Sequence, residues 1–142
     1  MEDELLAYTN RFRTTFETAH RKIGHIVLSQ LNSELTKPQI FMLFMISKEG
    51  APKQTHLADK LGVKPSAITV MIDRLVQSGH VIRKHHETDR RIVLVEITET
   101  GKAILKQAED VQKEVIARGL SQLPPEEMRI LVSAFEKLTN YY

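Results

Sequence analysis

Apolar residues recur at helical spacing from the first turns of the chain. Leu5, Phe12, Phe16, Ala19, Ile23, Ile26 and Val27 share a 3.6-residue period with charges between them, which predicts one long amphipathic helix over roughly residues 3 to 30. Thr36 followed by Gln39 reads as a capping box, with Pro38 tolerated in the first turn. The helix it opens runs to about Ser47 and is apolar almost all round, so burial is expected until "KEGAP" breaks it. "QTHLADKLGV" is a short helix ending at Gly62, where a left-handed cap suits glycine. Pro65 starts "PSAITVMIDRLVQSG", which Gly79 closes. Ile68, Ile72, Leu75 and Val76 form its expected buried stripe, while Ser66, Thr69, Val70, Asp73, Arg74 and Gln77 point elsewhere.

After Gly79 the period changes from 3.6 to 2, and "HVIRKHH" and "IVLVEI" read as two strands joined by "ETDRR". Two helices close the chain. Ile104, Ala108, Val111 and Val115 stripe the first, from near Thr98. Leu131, Phe135 and Leu138 stripe the second, from Pro124-Pro125, where Glu126 and Glu127 complement the N-terminal dipole. The expected fold is mainly α with one small β-hairpin.

Ala58, Gly62 and Ile68 sit at spacings suited to a helix-turn-helix. A small residue lets the helices cross closely, glycine makes the turn, and Leu57, Val63 and Ile68 are expected to fill the angle. The spacing alone fits a helical corner that only builds core. The hairpin that follows extends it to a winged helix, and Asp89-Arg90-Arg91 at its tip is poor core material. A guanidinium can enter the narrow, negative minor groove of DNA, and a nearby carboxylate can hold it by a forked hydrogen bond. Two readings of the tip stay open. Either Asp89 aims Arg91 at DNA, or the charges only keep a solvated edge from aggregating.

The 142 residues suit one domain, and the net charge of +2 hides an asymmetry. From Lys53 to Val95 eight Lys or Arg stand against four acids, so this middle carries +4 and the flanks together −2. A basic centre between mildly acidic ends fits a polyanion-binding module. Cysteine is absent, which excludes disulfides, thiolate metal sites and thiol chemistry. "IFMLFMI" is too short to span a bilayer, and the acidic start lacks the pattern of a signal peptide, so a cytoplasmic location without membrane contact is expected.

From "LTKPQIFML" through "HLADKLGVKPSAITVMIDRLVQSGHVIR" to "TDRRIVLVEITETG", the chain resembles the MarR-type winged-helix transcriptional regulators over nearly its whole length. The D-x-R wing followed by "EITETG" is the most specific part. The resemblance implies a winged helix-turn-helix over about residues 36–100 and a connecting helix over about 98–120. Residues of about 1–35 and 120–142 would form dimerisation helices. It further implies a homodimer that binds double-stranded DNA at a palindromic operator, usually as a repressor and often released by a small organic ligand. Carried over by position, Ser66, Ala67, Thr69, Val70 and Arg74 lie on the recognition helix, and Asp89 and Arg91 form the wing pair, with Arg90 beside them. Two positions depart from the family. Arginine or lysine often stands where this chain has Val70, so that contact is missing or replaced by contact with a thymine methyl. Pro124 takes the place of a capping serine.

Other readings are weaker. His85-His86-Glu87 with Asp89 is rich in ligand types, but adjacent strand residues face opposite sides, and His20 and His25 are poorly spaced for one helix face. No metal or cofactor is expected. No phosphate loop or nucleophile motif points to an enzyme. The rivals are a winged helix that docks another protein and a nonspecific architectural DNA binder. In the family, ligands lie between the dimer helices and the DNA-binding lobe, a region that here would include Phe12, Phe16 or Phe44, but these residues read first as plain core and no pocket is assigned.

Overall fold

The computed structural model describes all 142 residues. The elements are α1 (Glu2–Gln30), α2 (Lys37–Glu49), α3 (Gln54–Leu61), α4 (Pro65–Gln77), β1 (Val81–His85), β2 (Val93–Ile97), α5 (Glu99–Leu120) and α6 (Pro125–Tyr141). The predicted order of four helices, a hairpin and two helices is the observed one. The chain forms two compact units, one of Leu31–Glu109 and one of Met1–Gln30 with Asp110–Tyr142.

The Leu31–Glu109 unit holds the core. Met42, Leu43 and Ile46 of α2, Leu57 of α3, Ile68, Ile72 and Leu75 of α4, and Val81 and Val95 of the strands are all fully buried. Local signals set the ends of these elements. Thr36 accepts the Gln39 backbone N–H at 3.4 Å, while the Gln39 side chain accepts the Thr36 N–H at 2.7 Å, completing the capping box. Gly62 adopts φ 63°, and the bonds from Gly62 N to Asp59 O and from Val63 N to Ala58 O close α3.

Four expected burials differ. Phe41 and Phe44 are exposed, because the core takes only the side of α2 that carries Met42, Leu43, Met45 and Ile46. Val76 is exposed because it lies roughly 80° around the helix from Ile68, at the margin of the buried stripe. Val63 is also exposed, so Leu57, Ala58 and Ile68 close the helical corner without it.

β1 and β2 pair antiparallel, with Val81 opposite Ile97, Arg83 opposite Val95 and His85 opposite Val93. A third piece of backbone joins them. Lys53 bridges Leu94, and Val95 N–H donates to the Pro52 carbonyl at 2.9 Å, tying the start of α3 to the hairpin. One bridging residue has no periodicity, so the sequence pattern gave no sign of it.

At the start of α5 the Thr98 hydroxyl donates to the Gly79 carbonyl at 2.6 Å and accepts the Gly101 N–H at 3.1 Å. Thr98 N–H also donates to the His80 carbonyl at 3.0 Å. An N-cap thus locks the helix to the end of α4 and the start of the hairpin.

In the other unit, Phe12 and Phe16 of α1 stack at 5.8 Å, and Phe135 of α6 lies 6.0 and 6.2 Å from them. Neither α1 nor α6 buries a single side chain within this chain. No helix is long and apolar enough to cross a membrane.

Candidate nucleic-acid interface

The Leu31–Glu109 unit presents two features on its surface, the outer face of α4 and the tip of the hairpin. Ser66, Ala67, Thr69, Val70 and Arg74 are all exposed on α4, opposite the buried Ile68, Ile72 and Leu75. Pro65 sets the first turn, where its missing N–H costs no helical bond.

At the tip, Arg91 donates from Nε to Asp89 Oδ1 and from an outer nitrogen to Oδ2, each at 3.1 Å. The Arg91 backbone N–H adds a 3.0 Å bond to Oδ1. The fork holds the Asp89 carboxyl below the usual carboxylate range and raises the Arg91 guanidinium, so both stay charged. Even so, the Arg91 side chain is 91% exposed, so a planar, oriented cation faces solvent. Arg90 is exposed beside it. Its carbonyl lies 3.0 Å from His85 Nδ1, and Ile92 N–H closes the turn onto the Asp89 carbonyl at 3.1 Å.

A match to the MarR family model covers residues 35–93, from the start of α2 to the wing. The HTH-type transcriptional repressor MdtR of Bacillus subtilis is 33% identical over 115 residues, which span 80% of this chain and 74% of that protein. The chain belongs to the MarR family. RV1404 from Mycobacterium tuberculosis shares its fold at a TM-score of 0.81 and 31% identity, covering 96% of this chain and 92% of that one. A MepR-like protein crystallised with pseudoligands is 39% identical, with a TM-score of 0.57 and coverage of 91% and 92%. The protein is therefore a winged-helix, DNA-binding transcription regulator and not an enzyme.

Within this MarR fold, three residues that sequence reasoning did not select tie the outer face of α4 to α3 and to the first strand of the hairpin. Arg83 of β1 donates from Nε to Gln54 Oε1 at 3.1 Å and from one outer nitrogen to the Thr69 carbonyl at 3.3 Å. Its other outer nitrogen lies 2.6 Å from Asp73 Oδ1. Gln54 in turn donates to the Thr69 hydroxyl at 3.1 Å. One half-buried guanidinium thus pins α3, α4 and β1 together. The only sequence signal was a charge in a strand that otherwise reads as half-buried.

The histidines beside the tip form local bonds. His86 Nδ1 accepts the Thr88 N–H at 3.3 Å. No group of three or more His, Asp or Glu side chains converges in a way that could hold a metal ion. Elsewhere in this unit, an open cleft of about 440 Å³ is lined by residues that include Asn32, Glu34, Ser78, His80, Thr100 and Gln107.

Proposed function

We propose that the protein is a sequence-specific repressor that binds an inverted-repeat operator as a homodimer and is released by a small organic ligand. The carrying observation is the Asp89–Arg91 fork, which presents an oriented guanidinium on the same unit as the exposed face of α4. In this reading α4 enters the major groove with Ser66, Ala67, Thr69, Val70 and Arg74. Arg91 enters the adjacent minor groove, Asp89 orients it, and Arg90 meets phosphate. An arginine held by its neighbour loses less freedom on binding than one swinging free.

Dimerisation is supported by α1 and α6. Phe12, Phe16, Phe135, Leu131 and Leu138 remain between 39% and 48% exposed, a continuous apolar surface that a second copy would cover. Repression is supported by the repressor name of the Bacillus subtilis relative, and ligand response by the pseudoligands in the MepR-like protein. No cofactor is needed for binding or release, and the protein would work in the cytoplasm, where the promoter lies.

Selection from a random duplex library, followed by anisotropy at several salt concentrations, tests this reading. The expected winner is an inverted repeat with half-sites about one helical turn, roughly 34–36 Å, apart, bound with a steep loss in salt. Steep salt dependence without a preferred sequence would mark a nonspecific architectural binder. No DNA affinity at all would leave a protein-docking role. A monomer by light scattering at micromolar concentration would remove the dimer.

A further inference from the structure

Val70 occupies the middle of the exposed face of α4. Ser66 and Ala67 lie one turn before it, and Asp73 and Arg74 one turn after. It is 50% exposed although it is β-branched and apolar, because Ile68, Ile72 and Leu75 already fill the core side. A lone exposed valine needs no explanation by itself. Its surroundings give it one.

The Thr69 hydroxyl beside it is engaged twice. It donates its single proton to the Pro65 carbonyl at 3.0 Å and accepts from Gln54 Nε2 at 3.1 Å. Gln54 is held in turn by Arg83, and the Arg83 charge is matched by Asp73. Thr69, Gln54, Arg83 and Asp73 are therefore turned onto one another, while Ser66 and Arg74 stand exposed toward the two ends of the face. Thr69 cannot donate to a base without giving up its bond to Pro65. What the centre offers outward is methyl groups, two from Val70 and one from Ala67.

In the major groove only thymine presents a methyl group, at C5. A base amino or carbonyl group pressed against Val70 would lose water without gaining a partner. A thymine methyl buries apolar surface on both sides. We propose that Val70, flanked by Ala67, reads the 5-methyl group of a thymine in each half-site, with the Arg83–Gln54–Thr69 relay holding the neighbouring hydroxyl out of the reading. The inference rests on α4 entering the major groove, as proposed above.

The test uses the full-length protein and the duplex selected from the random library. Each dyad-related pair of thymines is replaced in turn by deoxyuridine, which lacks only the methyl, and affinity is measured for wild type and Val70→Ala. At one such pair the replacement should weaken wild-type binding about 16-fold, about fourfold for each of the two buried methyls. Val70→Ala should lose a similar factor on the thymine duplex and nothing more on the deoxyuridine duplex. An exposed position leaves its folding intact, which circular dichroism checks. Tolerance of deoxyuridine at every thymine position would overturn the inference while leaving operator recognition standing. The same penalty persisting in Val70→Ala would also overturn it, because another residue would then be reading the methyl. If selection yields no preferred duplex, operator recognition fails and this inference fails with it.

Discussion

Arg91 and Asp89 are joined by three hydrogen bonds, two from the guanidinium and one from the Arg91 backbone N–H, all to a single carboxylate. Two residues apart in a turn, they form a closed ring that fixes where the arginine points. If Arg91 contacts DNA and Asp89 only orients it, Arg91→Ala should weaken operator binding roughly five- to 150-fold and flatten the salt dependence. Asp89→Ala should lose less. The double variant should be no worse than Arg91→Ala alone, since Asp89 has no task once its partner is gone. Arg90→Ala, as a phosphate contact, should weaken all sequences about equally. Equal and additive losses from Asp89 and Arg91 would show two independent contacts and remove the orienting role.

The same fork has a pH signature. The Arg91 side-chain bonds, and after them its backbone N–H, hold the Asp89 carboxyl below the usual carboxylate range. A depressed carboxyl keeps its interaction above its ordinary value and loses it only as pH falls through the depressed one. The Arg91 Nε–H resonance should therefore stay protected from exchange at a pH where free aspartates are already protonated. Loss of that protection at the ordinary carboxylate value would mean that the fork is not formed in solution.

His80 should titrate with the opposite consequence for its charge. Burial pushes its imidazole below the ordinary value, and its Nδ1 lies 2.7 Å from the Ser78 hydroxyl. The folded state thus prefers the neutral ring. The resulting stability is complete above the ordinary imidazole value, about 6.5, and declines as pH falls through the lowered one. Urea midpoints should drop on acidification within that window, and His80→Gln should flatten the drop. Identical slopes for the two proteins would assign the acid sensitivity to other groups.

Gly101 and Gly119, both on α5, should respond to alanine in opposite directions. A Cβ at Gly101 would fall 2.3 Å from the His80 carbonyl oxygen and 2.6 Å from Ile97 Cγ1, so Gly101→Ala should destabilise by about 1–3 kcal/mol. At Gly119 nothing lies within 4 Å, and alanine there should stabilise by roughly 0.4–1 kcal/mol through the unfolded chain. Denaturant unfolding measures both. A Gly101→Ala variant as stable as wild type would mean that α5 can shift away from the hairpin at little cost.

With no cysteine in the chain, low peroxide should not release the protein from its operator through sulfenate or disulfide chemistry. Oxidation of the five methionines is the remaining route, and it requires a high dose. Prompt release by low peroxide, reversed by dithiothreitol, would contradict this.

The hydrophobic period by itself determined the order and approximate limits of every element. Thr36, Gly62, Pro65 and Gly79 marked ends that backbone geometry enforces locally, whatever the rest of the chain does. The acid and arginine of the wing were equally legible, because residues two apart in a tight turn have little choice of partner. Tertiary structure decided what depends on residues distant in sequence. Phe41, Phe44, Val63 and Val76 carry the same apolar signal as their buried neighbours, and only the direction of the core separates them. Arg83 reads as one more basic residue until folding sets it against Gln54, 29 positions earlier, and against Thr69 and Asp73. The bridge from Pro52 and Lys53 to β2 is a single pairing without a period to announce it. Periodicity records which side of an element avoids water, whereas a hydrogen bond between distant residues depends on where the whole chain has brought them.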